Sequence, residues 1–290
     1  MQLTKIGVVG AGTMGQGIAE MLASKGIDVH LLEKTPDQLE HAWEMIELSL
    51  EKRLEKWAVT EAEKKSALGR IHKAHAVEQL AGCEMVIETV SEDLETKKDV
   101  FRKLDAVCGE ETIFASNTST LSLTELAGET RRPERVIGLH FLYPVHKIHL
   151  VEIVRGLKTS TETYETVRRF VELTIQKKGI MVYESPGFVT TRLICTLINE
   201  ALHTLSEGVA SAEDIDSAMR IGYDFRFGPL EMADRFGLDA ILAAMERMFR
   251  EYGDLKYRPS FILKQMVRAG HLGVKTGEGF FRYDKDGDRL

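Results

Sequence analysis

A histidine at the end of a strand-like run is the side chain in this sequence best placed for proton transfer. His140 follows the apolar residues Val136 to Leu139, and Pro144 interrupts the chain soon afterwards. Hydride removal from an alcohol requires a base that accepts the hydroxyl proton. Taken alone, a histidine in such a place is more often a core residue with satisfied hydrogen bonds. His140 is therefore a candidate general base whose role depends on its neighbours.

A glycine-rich turn near the start of the chain predicts a dinucleotide site. The segment Gly10-Ala11-Gly12-Thr13-Met14-Gly15 follows the strand-like run Lys5 to Gly10 and opens a helical pattern. The first glycine allows the tight turn, the second lets the backbone approach a pyrophosphate, and the third permits close packing of helix on sheet. Because strand, glycines and helix occur in this order, we expect the whole turn, including Thr13 and Met14, to bind the cofactor.

A carboxylate about twenty residues beyond the glycines predicts which dinucleotide binds. Glu33 ends the second strand-like run, Val29 to Leu32. A carboxylate at this point accepts hydrogen bonds from the 2′-hydroxyl of the adenosine ribose and repels a 2′-phosphate. The sequence thus favours NAD over NADP as the cofactor.

Short apolar runs that alternate with helical patterns predict an α/β fold for the first part of the chain. Further strand-like runs are Met85 to Glu88, Thr112 to Ala115, Val136 to His140, Leu150 to Val154 and Ile180 to Tyr183. This number of strands is sufficient for a doubly wound, Rossmann-type sheet. Reciprocal capping boxes are expected where Thr60 precedes Glu63 and where Ser122 precedes Glu125.

After Ser185-Pro186-Gly187 the sequence becomes helical, with no further convincing strand. The predicted helices are Phe188 to Gly208, Ser211 to Ile221 and Leu238 to Tyr252. We therefore expect an NAD-binding Rossmann domain over residues 1–184 and an all-helical substrate and dimerisation domain over residues 185–290. The first of these helices carries an apolar stripe typical of a core or a dimer interface, formed by Leu193, Leu197, Ile198, Ala201, Leu202 and Leu205.

Composition and charge argue against several classes of partner. The chain has 290 residues and a formal net charge of -7, which disfavours a broad basic face for nucleic acid. Its three cysteines, Cys83, Cys108 and Cys195, show no disulfide or metal-ligand pattern, so we expect no metal. A secretory signal and an apolar stretch long enough for a bilayer are both missing from the pattern. We expect a soluble cytoplasmic protein without membrane partners.

Several motifs taken together resemble the L-3-hydroxyacyl-CoA dehydrogenase family. Besides the glycine-rich turn they are Ser116-Asn117-Thr118-Ser119, Gly138-Leu139-His140-Phe141, Leu150-Val151-Glu152, Ser185-Pro186-Gly187-Phe188 and Lys275-Thr276-Gly277-Glu278-Gly279-Phe280. The resemblance extends over essentially the whole chain, and the bacterial 3-hydroxybutyryl-CoA dehydrogenases are most similar in length. It implies a homodimeric, NAD-dependent enzyme of fatty acid metabolism that interconverts a short-chain (S)-3-hydroxyacyl-CoA and its 3-oxoacyl-CoA.

The resemblance also implies the catalytic residues. His140 would be the general base, Glu152 its carboxylate partner, and Ser119 a hydrogen-bonding partner of the reacting oxygen. The alternative interpretation of Glu152 is a solvated strand-end carboxylate, but its place in the apolar run Leu150 to Val154 disfavours it. Without the family match, residues 116–119 would be interpreted as a helix-capping loop.

Contacts to the cofactor and the substrate follow from the same resemblance. Glu92, Lys97 and Asn117 match positions near the cofactor ribose and nicotinamide, and Lys275 matches one that reaches the cofactor from the helical domain. Ser49 and Lys56 match contacts to the CoA nucleotide and fall on one helical face. Nearby positive charge that suits a 3′-phosphate comes from Lys52 and Arg53. For each of these charged side chains, an ordinary solvated charge is the alternative.

Two positions depart from the family pattern. The family has asparagine three residues after the catalytic histidine and again after Pro-Gly-Phe, where both asparagines bind the substrate. This chain has Tyr143 and Thr191 there. Their hydroxyl groups do not reproduce the paired donor and acceptor of an amide. We expect an altered acyl preference or a lower turnover, because small misplacements of reacting atoms reduce the rate.

Three other functions stay open at this point. Dehydrogenases of free 3-hydroxy acids, similar to gulonate dehydrogenase and lambda-crystallin, keep the histidine–glutamate pair, but Ser49 and Lys56 favour a CoA substrate. The 3-hydroxyisobutyrate dehydrogenases share the glycine turn but use a catalytic lysine, against which the segment His140 to Pro144 argues. A catalytically decayed NAD-binding protein would account for the two replaced asparagines, although Ser119 and the histidine–glutamate pair are intact.

Overall fold

A computed structural model describes residues 3–290 and divides them into two units, one ending at Ser185 and the other beginning at Pro186. The division falls one residue beyond the expected boundary. The first unit has one sheet, with strands β1 Lys5–Val9, β2 Asp28–Leu32, β3 Ile71–Ala74, β4 Met85–Glu88, β5 Ile113–Ser116, β6 Val136–Phe141, β7 Leu150–Arg155 and β8 Lys178–Tyr183. Its helices are α1 Thr13–Ser24, α2 Pro36–Glu55, α3 Glu61–Leu68, α4 Leu94–Val107, α5 Leu123–Gly128 and α6 Thr161–Arg169.

The order of the strands identifies a doubly wound sheet. It is β3-β2-β1-β4-β5-β6-β7-β8, with β1 to β6 parallel, β7 antiparallel to β6, and β8 parallel to β7. Strand order reverses between β1 and β4, and open α/β sheets bind ligands at such a switch point, beyond the carboxyl ends of the strands. The expected Rossmann-type α/β class followed by a helical region is confirmed.

The central strands are buried along their full length. All residues of β4, β5 and β6 are buried, as expected for parallel strands with helices on the sheet. Two side chains of α1, Ile18 and Leu22, belong to the same apolar cluster as the strand residues Ile6, Ile87 and Leu139. The carboxyl ends of β4, β5 and β6 are therefore fixed by a packed core rather than by loops.

Two reciprocal capping boxes were predicted in the first unit. One forms completely, and the other forms only in part. Thr60 and Glu63 form the reciprocal capping box at α3. At α5, the Ser122 hydroxyl accepts the Glu125 backbone N–H at 3.1 Å. The Glu125 carboxylate instead lies 3.2 Å from the Lys98 ammonium, so the second half of this predicted box was wrong. A tertiary ion pair here replaces the local hydrogen bond.

The second unit is a group of helices around its own apolar cluster. The helices are α7 Thr190–Ser206, α8 Ala212–Tyr223, α9 Pro229–Phe236, α10 Leu238–Tyr252 and α11 Phe261–Arg268. The sequence did not predict α9, α11 or the strand β3. The Asp216 carboxylate of α8 accepts the backbone N–H groups of Leu230 and Glu231, each at 2.8 Å. A side chain from another helix thus caps α9, which no local pattern reveals.

The apolar stripe predicted for α7 is only partly core. Ile198, Ala201 and Leu202 are buried, whereas Leu193 at the other end of the stripe is 65% exposed. Leu193 therefore leaves an apolar side chain on the surface of the helical unit.

The cysteines are free, buried thiols. Burial raises the pKa of Cys83 and of Cys108 to about 11 and that of Cys195 to about 12, so all three stay protonated at neutral pH. Among residues 3–290, no cluster of three or more histidine, cysteine and acidic side chains is arranged to hold a metal ion. Over the same residues, none of the helices is both long and apolar enough to span a membrane.

Candidate active site

The three glycines of the glycine-rich turn lie in different surroundings. Gly10 has a φ of +95°, and a Cβ there would lie 2.7 Å from the backbone nitrogen of Val90. A Cβ on Gly15 would lie 1.9 Å from the Gly10 carbonyl oxygen. A Cβ on Gly12 would meet nothing within 4 Å. Packing within the protein therefore does not require Gly12, and the open space beside it suits a bound pyrophosphate.

The start of α1 and the end of β2 complete the nucleotide end of the site. Gly12 caps α1 without a side-chain hydrogen bond, and the first turn contains no acidic residue, so its N–H groups suit an anion. Glu33 accepts the Ala11 and Lys34 backbone N–H groups, each at 2.6 Å. A carboxylate has about four lone-pair sites, so Glu33 retains capacity for ribose hydroxyls. These residues fit a dinucleotide that lacks a 2′-phosphate.

His140 and Glu152 are direct neighbours across the antiparallel strands β6 and β7. Nδ1 of His140 lies 2.5 Å from Oε2 of Glu152. The two residues are 4% and 0% exposed, so the carboxylate interacts with the imidazole rather than with bulk water. A carboxylate in this position fixes the tautomer that carries its proton on Nδ1 and stabilises the imidazolium.

The other ring nitrogen of His140 faces the loop after β5. Nε2 of His140 lies 3.0 Å from the Ser119 hydroxyl oxygen. With the proton on Nδ1, Nε2 carries the lone pair, and it is the atom that can accept a proton from an alcohol. Asn117 holds the same loop to β6, because its Oδ1 accepts the Phe141 backbone N–H at 2.9 Å. The structure thus brings together Ser119, Asn117, His140 and Glu152.

A buried lysine links two carboxylates close to this loop. The Lys97 ammonium lies 2.7 Å from Oε1 of Glu88 and 3.4 Å from Oε2 of Glu92. Lys97 is 1% exposed and Glu88 is fully buried, so the alternative of an ordinary solvated charge is wrong for Lys97. Burial raises the pKa of Glu88, against the opposing attraction of Lys97.

Glu92 fixes the backbone of the Ser119 loop. Its Oε1 accepts the Thr118 hydroxyl at 2.5 Å and the backbone N–H groups of Ser119 and Thr120 at 3.0 and 3.1 Å. Burial acts to raise the pKa of Glu92, but the charge of Lys97 and these hydrogen bonds outweigh it and hold the pKa below its ordinary value. An ionised Glu92 therefore orients Ser119 towards His140.

Glu88 is a site residue that sequence reasoning missed. It ends β4, lies opposite Val9 of β1 at the switch point, and accepts the Ser116 hydroxyl at 2.6 Å. The available signal was an acidic residue that closes the otherwise apolar run Met85 to Glu88. A carboxylate at the end of a fully buried strand has no access to water and must find partners inside the protein.

The remaining predicted contacts lie in three places. Tyr143 follows β6 and is 56% exposed. Thr191, the second residue of α7, is half-buried, and it belongs with Lys275 to the second unit. The Lys275 ammonium lies 2.5 and 2.6 Å from the two carboxylate oxygens of Asp239. The roles of these three residues stay predictions.

The helix α2 carries the two residues expected at the CoA nucleotide. Ser49 is half-buried, and Lys56 is the exposed residue that ends the helix. Arg53 differs from expectation, because its guanidinium lies 2.5 Å from the buried carboxylate of Glu20. This ion pair offsets the charge of Arg53, and a contact of Arg53 with a phosphate stays a prediction. Lys52 is exposed beside it.

The nucleotide turn and the buried histidine–carboxylate pair together define a Rossmann-type dinucleotide-dependent dehydrogenase. Residues 5–185 match the family profile described as 3-hydroxyacyl-CoA dehydrogenase, NAD binding domain. Residues 187–283 match the profile described as 3-hydroxyacyl-CoA dehydrogenase, C-terminal domain. The chain therefore belongs to the 3-hydroxyacyl-CoA dehydrogenase family, and its first unit contains the NAD-binding domain.

Individual relatives are similar over nearly the whole chain. The 3-hydroxybutyryl-CoA dehydrogenase of Clostridioides difficile is 42% identical over 281 residues, which are 97% of this chain and 100% of that protein. The crystal structure of FadB2 from Mycobacterium tuberculosis has a TM-score of 0.97 at 35% identity, covering 98% of this chain and 100% of that one. The structure of (S)-3-hydroxybutyryl-CoA dehydrogenase PaaH1 from Ralstonia eutropha has a TM-score of 0.92 at 42% identity, with the same coverage.

Replacement of Glu88 tests whether the buried charges position Ser119. In Glu88→Gln, Lys97 loses one of its two carboxylates, and the loop held by Glu92 is expected to shift. We expect kcat for reduction of a 3-oxoacyl-CoA to fall about tenfold, equivalent to about 1.4 kcal/mol, with the thioester KM little changed. Steady-state kinetics at several pH values would measure both constants.

A matched control is Asp105→Asn, which breaks the buried pair of Asp105 with Arg132, 2.9 Å apart. Breaking a buried pair costs about 3–5 kcal/mol of stability, so this variant should unfold at lower temperature but retain its kcat. Equal losses of kcat in the two variants would mean that Glu88 acts only through stability.

Proposed function

We propose that the protein interconverts a short-chain (S)-3-hydroxyacyl-CoA, such as 3-hydroxybutyryl-CoA, and the corresponding 3-oxoacyl-CoA. The observation that carries the chemistry is the buried pair of His140 and Glu152, with Ser119 beside Nε2 of the imidazole. The names of the C. difficile and R. eutropha relatives support the choice of the acyl group. Tyr143 and Thr191, in place of two asparagines, adjust how the acyl group is held.

The roles of the side chains follow from their hydrogen bonds. NAD bound at the glycine-rich turn supplies the hydride acceptor. Nε2 of His140 accepts the proton of the 3-hydroxyl, and Glu152 stabilises the imidazolium that forms. Ser119 orients the substrate oxygen towards Nε2. In the reverse direction the imidazolium donates this proton to the ketone oxygen.

Binding of NAD is assigned to the turn and to the charged residues around it. The proposed contacts are Gly10, Gly12, Thr13, Met14, Gly15, Glu33, Glu92, Lys97, Asn117 and Lys275. Gly12 and the first turn of α1 support the assignment by their open space and unfilled N–H groups. Lys97 reaches the cofactor site through its contacts with Glu88 and Glu92 rather than as a free surface charge.

The helical unit is proposed to bind substrate and to form a homodimer. Apolar side chains on its surface support self-association, since Leu193, Ile221, Tyr223 and Phe261 are each at least 65% exposed. Sedimentation equilibrium should give twice the chain mass of 32.6 kDa, and a monomer at micromolar concentration would contradict the proposal.

The cytoplasm is the proposed location, because three free thiols suit a reducing compartment.

Absorbance at 340 nm, which follows NADH oxidation, tests the proposed substrate. We expect turnover with acetoacetyl-CoA and none with free acetoacetate at equal concentration. Turnover of the free acid instead would indicate a dehydrogenase of free 3-hydroxy acids. Absence of turnover with both, in a protein that binds NADH, would indicate that Tyr143 and Thr191 have redirected or silenced the site.

Replacement of His140 tests the general base. His140→Ala removes the proton acceptor, and we expect kcat to fall by about 10²- to 10⁴-fold because general base catalysis contributes that factor. NADH affinity, measured by fluorescence titration, should change less than about threefold. A variant that retains wild-type turnover would exclude His140 as the base.

A further inference from the structure

Trp57, the second residue after α2, lies on the surface outside the apolar core. Its exposed fraction is 94%, the highest among the exposed large hydrophobic side chains of residues 3–290. The other tryptophan, Trp43 on the same helix, is half-buried and packs against the core of the first unit. Tryptophan has a large apolar surface and is highly buried on average, so an almost fully exposed one is unusual.

The backbone at Trp57 is also unusual. Its φ is +57°, in the left-handed region, and its N–H donates to the Leu54 carbonyl at 2.9 Å in the turn that ends α2. Glycine is the usual residue at such a helix end, because a Cβ is disfavoured there. Gly253 ends α10 in this way, and the polar residue Asp224 ends α8. A bulky aromatic residue is disfavoured in this backbone conformation. Its presence here indicates that the indole side chain has a function.

The outer face of α2 has apolar side chains first and lysines towards its carboxyl end. Trp57 follows the lysines. Three residues of α2, Leu48, Ser49 and Lys52, follow Met45 by three, four and seven positions and share this outer face with it, and Lys56 follows Lys52 by four. All but Ser49 are exposed, and Ser49 is half-buried. Acidic side chains lie on a separate strip of the helix, formed by Glu44, Glu47, Glu51 and Glu55. An extended ligand with an apolar arm, phosphates and a base matches this order.

Helix electrostatics explain part of this pattern but not all of it. Lysines near the carboxyl end of a helix interact favourably with its dipole, which accounts for Lys52 and Lys56 without a ligand. The helix dipole gives no reason for an exposed indole in a left-handed conformation one residue later. The combination of cations with an aromatic surface is typical of sites that hold a phosphate and stack a base.

We propose that Trp57 stacks on the adenine ring of the CoA substrate, with Lys52 and Lys56 beside the phosphates. This inference rests on the proposed function, and it adds a residue that recognises the base. The nucleotide end of the thioester then contributes affinity far from the reacting carbon. Such binding lowers KM without changing kcat, because the contact is equal in the ground state and the transition state.

The kinetic test uses Trp57→Gly and Trp57→Phe. Glycine removes the ring at a φ that favours glycine, so this variant should melt at or above the wild-type temperature. We expect Trp57→Gly to raise KM for acetoacetyl-CoA about tenfold at unchanged kcat, within the range for loss of one stacked base. Trp57→Phe should keep most of the affinity. KM for NADH should stay unchanged in both, which separates the adenine of CoA from that of the cofactor.

A truncated substrate provides the internal control. The N-acetylcysteamine thioester of acetoacetate has the same reacting group but no nucleotide. Wild type and Trp57→Gly should process it with the same kcat/KM. An acetoacetyl-CoA KM within twofold of wild type in Trp57→Gly, or an equal loss with the truncated thioester, would overturn the proposal.

A fluorescence measurement separates this inference from the proposed reaction. In Trp43→Phe, Trp57 is the single tryptophan of the chain. Coenzyme A should quench its emission and pantetheine should not, and neither result requires turnover. Quenching in a protein inactive with acetoacetyl-CoA would contradict the proposed substrate and support the Trp57 site. Turnover of acetoacetyl-CoA without quenching would contradict the role of Trp57 and leave the reaction in place.

Discussion

The reversal of chain direction between β6 and β7 is the constraint on which the contact between His140 and Glu152 depends. Antiparallel register places His140 directly opposite Glu152, although twelve residues separate them along the chain. Both are buried, and breaking a buried pair of this kind costs about 3–5 kcal/mol of stability. The sheet therefore holds the imidazole and the carboxylate in contact, as the general-base role proposed for His140 requires.

The parallel strands supply the rest of the site from one edge of the sheet. The carboxyl ends of β4, β5 and β6 carry Glu88, the loop containing Ser119, and His140. Lys97 connects them from α4, since its ammonium contacts Glu88 as well as Glu92, which holds the loop. A strand end, a helix and the segment that holds the Ser119 loop thus share one buried cation.

Sequence alone predicted the features whose causes are local and missed those whose causes are tertiary. The glycine-rich turn was found because its strand, glycines and helix are contiguous, and the family resemblance supplied roles for residues that no spacing singled out. Glu88 was missed because a strand-end carboxylate resembles a solvated one until the sheet buries it. The ion pair of Arg53 was not foreseen because Glu20 lies on another helix, and α9 was not predicted because Asp216 of α8 caps it.

The three glycines of the turn are constrained in different ways, and these constraints determine which of them can be replaced in homologues. Gly10 and Gly15 are demanded by the backbone itself, whereas Gly12 has open space around its α-carbon. A homologue that no longer binds the cofactor would still need the first and third glycines in order to fold. Its second glycine could be replaced by other residues. A homologue that has lost only the middle glycine is therefore expected to keep the fold without the NAD-dependent reaction.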